Sequence, residues 1–171
     1  LLQQGRDAFL VAGHSLGELV ALYGAGAFNL ETGLQLMKVR SELMAAAGGG
    51  AMTAVIGFNR DQLEELVGST EGVSIANDNS DAQVVISGRP DAVAAVSEQL
   101  TCKRAIPLAV SGAFHSPFMA EAAQQFSATL DAMAFHDTSI PVLSNCDPRA
   151  TNTGSELKDR LKQQMSTGVR W

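Results

Sequence analysis

Alternation of apolar and polar stretches along the chain predicts strands and helices in mixed order. An apolar run at residues 9–12 predicts a buried strand, and a helical pattern follows over about 16–25. Asn29 is placed to cap a second helix over about 30–47, which ends at three consecutive glycines, 48–50. The N-terminal part therefore has the strand–helix order typical of an α/β protein.

Between residues 51 and 110, the order and length of the predicted strands and helices change, which predicts a separate unit. Strands are predicted at 51–57, 73–76, 84–87 and 104–110, helices at 61–67 and 91–100, and a polar loop at 77–81. The order β-α-β-β-α-β is the split βαβ arrangement of ferredoxin-like domains. We therefore predict that residues 51–110 form a ferredoxin-like small subdomain inserted into a discontinuous core, residues 1–50 and 111–171.

The core itself looks incomplete. After the insert, a helix is predicted at 119–133, a strand at 139–144 and a helix at 157–164, which leaves two or three core strands where doubly wound sheets usually have about five or six. Residues 1–7 resemble the end of a helix, and Trp171 offers an indole that a following segment should cover. We expect an α/β-hydrolase-like parallel-sheet core that lacks its terminal segments.

Composition narrows the class of protein. With 46% hydrophobic and 18% charged residues, the 171-residue chain suits a globular unit with a substantial core. A net charge of −6 disfavours nucleic-acid binding, and no apolar segment is long enough for a membrane span. Cys102 and Cys146 belong to no metal-binding motif. We expect reduced thiols, a cytoplasmic location, no metal and no membrane association.

Residues 13–17, Gly-His-Ser-Leu-Gly, fit the G-x-S-x-G motif of a nucleophile elbow, between a predicted strand and a predicted helix. Such a turn projects Ser15 from the sheet edge and is expected to need small residues two positions away on either side. The N–H of Leu16, at the helix start, should point at the oxyanion. The side chain of His14 should diverge from that of Ser15, so we interpret His14 as a packing residue. The alternative is a tight turn that happens to contain a serine.

A serine nucleophile needs a base, and His115 is the best candidate of the three histidines. It lies in a loop where the insert returns to the core, whereas His136 looks like a surface residue. No carboxylate between Ser15 and His115 has a convincing position for a third catalytic member. A backbone carbonyl can also fix the imidazole tautomer.

Arg40 is predicted to be buried, because the positions three and four residues away on its helix are Leu36, Met37, Leu43 and Met44. A buried guanidinium requires an anion. One hypothesis is an internal salt bridge, for instance to Glu18. The other is a substrate carboxylate held by the guanidinium beside Ser15.

These residues lie in longer stretches that resemble the malonyl-CoA:acyl carrier protein transacylases and the related acyltransferase domains of fatty-acid and polyketide synthases. The resemblance runs the whole length of the chain. It rests on residues 13–18, the segment KVRSELM around Arg40, and residues 50–52, 76–80, 85–88 and 112–116.

The resemblance implies transfer of a malonyl group from malonyl-CoA to the phosphopantetheine thiol of acyl carrier protein, through malonyl-Ser15 and without a cofactor. His115 would be the general base and acid, and Arg40 would hold the malonyl carboxylate. Leu16 would supply one oxyanion donor. The main-chain carbonyl of Gln164 would orient the histidine, which fits the missing acid.

Further substrate-binding candidates also follow from the resemblance. Phe114 corresponds to the form that selects malonyl over branched acyl groups, and His14 and Asn77 lie in two matching segments. Lys103, Arg104, Lys158 and Lys162 are candidates for docking an acidic carrier protein.

The family's N-terminal loop, which supplies a second oxyanion donor, has no counterpart in the chain, so we expect the 171-residue piece by itself to be poorly active or unstable. Two other functions stay open. One is a serine hydrolase such as a thioesterase, and the other is a non-catalytic fragment of a synthase that only docks carrier proteins.

Overall fold

The computed structural model describes residues 8–110 and 112–171, and these residues form an α/β fold with mixed sheets. The helix end predicted within residues 1–7 lies outside the described residues. The helices are α1 (Gly17–Ala25), α2 (Leu30–Ala46), α3 (Arg60–Ser69), α4 (Pro90–Gln99), α5 (Ala120–Asp131) and α6 (Gly154–Gln163), with a 3₁₀ turn at Pro117–Met119. The strands are β1 (Val11–Ala12), β2 (Ala51–Phe58), β3 (Val73–Ser80), β4 (Gln83–Gly88), β5 (Cys102–Pro107), β6 (Val142–Leu143) and β7 (Val169–Arg170).

A short parallel sheet of β1 and β6 packs with four helices in one hydrophobic core. Helices α1, α2, α5 and α6 contribute fully buried side chains to it, among them Leu22, Leu36, Phe126 and Leu157. Burial of these side chains, at about 1.5–3 kcal/mol each, holds β1 and α1 in place. The core thus fixes both ends of the turn at residues 13–16.

The predicted core strands are longer than the observed ones. Phe9 was expected to be buried, but its side chain is 88% exposed. Only Val11 and Ala12 have partners across the sheet, Val142 and Leu143. Apolar character alone therefore overestimated the length of this strand. The strand predicted at 139–144 is likewise observed only at Val142–Leu143.

A five-stranded sheet, in the order β5-β2-β4-β3-β7, forms the second layer. Neighbouring strands are antiparallel from β5 through β2 and β4 to β3, and β7 runs parallel to β3. Val55, Val84, Ile86, Leu63 and Val96 fill a separate core between the strands and helices α3 and α4. The β-branched residues of β2 and β4, among them Val55, Val84 and Ile86, favour strand structure in these segments.

The polar segment 77–81 was predicted to be a loop, but residues 77–80 continue β3. Irregularities in the register between Ile75 and Asn77 and between Asp78 and Ser80 accommodate these polar residues. Strand β7 adds the other neighbour, with Asn77 opposite Val169. The predicted core and the predicted small subdomain therefore share this sheet.

The return from the small sheet to the core is a close backbone crossing. A Cβ placed on Gly50 would lie 2.2 Å from the backbone nitrogen of Ala113. Only glycine fits this approach, because no side-chain rotation relieves a contact with backbone. The crossing brings the loop that carries His115 next to the end of α2.

Candidate functional site

Ser15 lies in the sharp turn between β1 and α1, with a φ of 53°. Ser15 and His115 are the two non-glycine residues with positive φ among the described residues. Such a conformation persists only where the surrounding structure enforces it. Here the backbone N–H of Ser15 donates to Asn145 Oδ1 at 2.6 Å, and Asn145 Nδ2 donates to the Gly13 carbonyl at 2.8 Å.

The two glycines of the motif are not equivalent, although small residues were expected at both. A Cβ on Gly13 would lie 1.9 Å from the carbonyl oxygen of Gly17, whereas a Cβ on Gly17 would meet nothing within 4 Å. The expectation is therefore wrong for Gly17. The first turn of α1 packs directly against Gly13, whereas the space beside Gly17 is open.

We expect Gly13→Ala to lower the free energy of unfolding by at least about 2 kcal/mol, because the overlap is with backbone that cannot rotate away. Gly17→Ala is the matched control and should change stability by less than about 1 kcal/mol, with alanine favoured in a helix. Urea unfolding of both variants measures this. Equal losses of stability in the two variants would contradict the interpretation.

His115 contacts both Ser15 and Gln164. Its Nε2 lies 2.8 Å from Ser15 Oγ, and its Nδ1 lies 2.9 Å from the main-chain carbonyl oxygen of Gln164. A carbonyl only accepts, so Nδ1 donates and Nε2 is left to accept the serine proton. Burial lowers the pKa of His115 from 6.5 to about 4, with the charge of Arg40 adding to the effect and the Gln164 carbonyl opposing it. The imidazole is therefore neutral, and able to act as a base, near pH 7.

Arg40 is 3% exposed and directs its guanidinium at the serine. Its Nη2 donates to Ser15 Oγ at 2.9 Å, and its Nε donates to Gln164 Oε1 at 3.1 Å. The first hypothesis, an internal salt bridge to Glu18, is wrong, since the amide of Gln164 stands between the two groups. Burial lowers the pKa of Arg40 to about 10, opposed by the charge of Glu18, so the guanidinium remains charged at neutral pH.

Two further residues support this arrangement: Asn145, which sequence reasoning missed, and Glu18, which it considered only as a salt-bridge partner of Arg40. Asn145 holds the turn, as described above, and Glu18 is fully buried, with Oε2 accepting from the Asn145 N–H at 3.2 Å and from Gln164 Nε2 at 2.8 Å. Asn145 follows β6 at its carboxyl end, which is where side chains of an open α/β sheet approach a ligand. That position was the available signal. For Glu18, the signal was its place directly after the motif, within the matching segment 13–18.

The remaining predicted residues make contacts of their own. His14 is exposed, and its Nε2 hydrogen-bonds with Asn79 Oδ1 at 2.9 Å. Its ring packs edge-on against that of Trp171, with the centroids 5.3 Å apart, so its packing contact lies at the surface and not in the core. Asn77 is buried on β3, and no hydrogen bond joins it to Ser15, His115 or Arg40 in the described part of the chain.

Phe114 is partly buried and packs against both the helical core and the residues under β2 and β4. The backbone N–H of Leu16 lies at the N-cap of α1, with the side chain partly exposed. Of the basic residues suggested for docking, Lys158 donates to the Met133 carbonyl and Lys162 pairs with Asp131 and Asp159. Those two lysines are thus engaged within the fold.

Residues 8–110 and 112–171 contain no group of three or more histidine, cysteine or acidic side chains able to hold a metal ion. None of their helices combines the length and apolarity needed to cross a bilayer.

The geometry defines an α/β protein in which a neutral histidine and a buried arginine both contact the hydroxyl of an elbow serine. The sequence profile of the acyl transferase domain family matches residues 1–167. The chain is 52% identical to the malonyl CoA-acyl carrier protein transacylase of Synechocystis sp. over 171 residues, all of this chain and 58% of that protein. The chain belongs to the acyl transferase domain family.

Solved structures agree with this assignment. The crystal structure of Synechocystis sp. PCC 6803 malonyl-CoA:ACP transacylase matches with a TM-score of 0.97 at 51% identity, covering 100% of this chain and 58% of that one. A type II polyketide synthase acyl-carrier protein in complex with its malonyl-transacylase matches with a TM-score of 0.90 at 33% identity, covering 99% and 58%. The chain thus spans about three fifths of the length of each of these relatives.

Proposed function

We propose that the protein carrying this chain transfers a malonyl group from malonyl-CoA to the phosphopantetheine thiol of an acyl carrier protein, through a malonyl-Ser15 intermediate. One observation carries the proposal: Ser15 Oγ is contacted by both His115 Nε2, at 2.8 Å, and Arg40 Nη2, at 2.9 Å. A base on the nucleophile explains an acyl-enzyme, and a buried cation beside it explains an acyl group with a free carboxylate.

In the first half-reaction, Ser15 Oγ attacks the thioester carbonyl carbon while its proton moves to Nε2 of His115. The negative charge on the carbonyl oxygen is stabilised by the N–H of Leu16 at the helix start. The C–S bond then breaks, and the proton on His115 passes to the sulfur of coenzyme A. The malonyl ester of Ser15 remains, with its carboxylate against Arg40.

In the second half-reaction, the carrier-protein thiol gives its proton to His115 and attacks the ester. The C–O bond to Ser15 breaks, and the histidine returns the proton to Ser15 Oγ. No step in this sequence calls for a metal or a redox cofactor. Exclusion of water protects the ester between the two halves.

The names of the relatives support the two substrates. The Synechocystis enzyme and the solved carrier-protein complex are both named as malonyl transacylases, and in the complex the enzyme is bound to an acyl-carrier protein. We propose that Phe114 limits the size of the acyl group and that His14 and Asn77 line the approach of the thioester. Lys103 and Arg104, exposed on β5, stay as docking candidates for an acidic carrier.

The main competing function is a serine hydrolase. A hydrolase would use a carboxylate to orient the histidine, whereas His115 is oriented by the Gln164 carbonyl, and it would have no use for Arg40 beside the nucleophile. These two contacts favour acyl transfer. They also argue against a fragment that only docks carrier proteins, which needs neither.

We further propose the finer description of the fold. The β1–β6 pair with its helices corresponds to part of an α/β-hydrolase-like core. Strands β2–β5 with α3 and α4 correspond to an inserted ferredoxin-like subdomain, because the element order is β-α-β-β-α-β and each neighbouring pair of the four strands is antiparallel. A cytoplasmic location belongs to the same proposal.

Mass spectrometry after incubation with malonyl-CoA tests the function. We expect a malonyl adduct on the peptide that contains Ser15, which is lost when holo carrier protein is added and appears as malonyl-carrier protein. Ser15→Ala is expected to give no adduct. Release of free malonate instead of transfer would indicate a hydrolase, and absence of any adduct from the whole protein would overturn the proposal.

A further inference from the structure

Glu18 is a fully buried carboxylate that the proposed reaction does not use. It lies in the first turn of α1, three residues after Ser15. Its Oε2 accepts from Gln164 Nε2 at 2.8 Å and from the Asn145 N–H at 3.2 Å. Its Oε1 is buried without a hydrogen-bond partner among the described residues, as is the neighbouring Ser144 hydroxyl. Burying an acidic side chain costs free energy, so we ask what the contacts of Glu18 contribute to the site.

Gln164 connects this carboxylate to the rest of the site. Its Nε2 donates both to Glu18 Oε2 and to the Ser15 carbonyl, each at 2.8 Å, and its Oε1 accepts from Arg40 Nε at 3.1 Å. These contacts are satisfied in one orientation of the amide. After a 180° flip, the NH₂ group would face the guanidinium N–H and the oxygen would face two acceptors.

The orientation of that amide determines where the guanidinium lies. With Nε held by Gln164 Oε1, Nη2 of Arg40 reaches Ser15 Oγ. A flipped amide would repel Nε and release the fork from the serine. The Ser15 carbonyl and the carboxylate of Glu18 both favour the observed orientation, and of these two acceptors the carboxylate is the one that a side-chain substitution can remove.

We propose that Glu18 is a positioning residue that holds the Arg40 guanidinium beside Ser15 through the side-chain amide of Gln164, and so sets the preference for acyl groups with a free carboxylate. This inference rests on the proposed function. It assigns to Glu18 no contact with the substrate.

The test compares malonyl-CoA and acetyl-CoA as donors to holo carrier protein, with the ratio of their kcat/KM values as the readout. Both donors are measured on one preparation, so a smaller folded fraction cancels in the ratio. Glu18→Ala is expected to lower the ratio about tenfold, as misplacement of a positioning group does. Glu18→Gln is expected to keep it, because its amide oxygen accepts from the same two donors and its NH₂ faces Ser144.

Gln164→Leu supplies an independent variant that keeps the main-chain carbonyl beneath His115. It is expected to lower the ratio as far as Glu18→Ala, and the double variant should lower it no further, because both act on one contact. If Glu18→Ala does not fold, Gln164→Leu and Glu18→Gln still carry the test.

Equal losses for the two donors in Glu18→Ala or in Gln164→Leu would overturn the inference, as would a ratio in Glu18→Gln as low as in Glu18→Ala. Arg40→Ala distinguishes failure of the role given to Glu18 from failure of the proposed malonyl specificity. If Arg40→Ala shifts the ratio and Glu18→Ala does not, only the role of Glu18 fails. If neither shifts it, the proposed malonyl specificity fails.

Discussion

Replacing His115 with asparagine is expected to slow acylation of Ser15 by malonyl-CoA about a thousandfold, the scale of a lost general base. Asparagine is the right replacement because His115 has a φ of 55°, and asparagine tolerates this left-handed region better than alanine does. Its NH₂ group can also donate to the Gln164 carbonyl. Stopped reactions analysed by mass spectrometry give the acylation rate, and His136→Asn, at an exposed histidine, is the matched control and should react at the normal rate.

The pH dependence separates a base from a structural histidine. Because the pKa of His115 is about 4, the acylation rate should stay level from pH 7 down to about 5 and fall as the pH approaches 4. The His115→Asn variant should show no such fall. The folded protein binds this proton less readily than the unfolded chain, whose histidine pKa is 6.5, so the free energy of unfolding should also decrease as the pH falls from 6.5 toward 4. A rate unchanged by His115→Asn would remove His115 from the mechanism.

Local signals in the sequence predicted the helices better than the strands. Asn29 caps α2 as predicted, with Oδ1 accepting from the Thr32 N–H at 2.9 Å, because capping depends on neighbours three residues apart. Asn77, Asp78 and Ser80 pair with β4, and Asn77 and Asp78 also pair with β7, which lies about ninety residues further along the chain. No local pattern in the polar segment 77–80 announces that partner, so it looked like a loop. Phe9 was predicted to lie in a buried strand because it is apolar, but it has no partner strand and is exposed.

The candidate site divides in the same way. Ser15 was predicted from a turn motif, and Arg40 from helical spacing that places it on a buried face, so both depended on nearby residues. His115 followed by elimination, and its contact with the Gln164 carbonyl was implied only by resemblance. Asn145 was missed, and Glu18 was considered only as a salt-bridge partner of Arg40, because the importance of both comes from contacts with each other and with Gln164 across the fold. Such contacts have no periodic signature.

Arg40→Ala is expected to lower kcat/KM for malonyl-CoA about a hundredfold or more while acetyl transfer is kept or raised. In the alanine variant, the malonyl carboxylate would enter a buried pocket that lacks its counter-charge, whereas an acetyl group carries no charge to satisfy. Arg40→Lys should fall between, because an ammonium keeps the charge but cannot hold both Gln164 Oε1 and a carboxylate in the fork geometry. Donor competition assays with malonyl-CoA and acetyl-CoA measure the switch directly.

The control for this prediction is Arg104→Ala, which removes an exposed arginine from β5 and should leave the donor preference unchanged. Loss of stability in Arg40→Ala is also expected, since Glu18 and Gln164 lose a cation and a donor, and it would reduce both activities by one factor. The preference, rather than the absolute rate, is therefore the informative quantity. If malonyl and acetyl transfer fall together, the guanidinium beside Ser15 serves the fold or the nucleophile, and the acyl group need not carry a carboxylate at all.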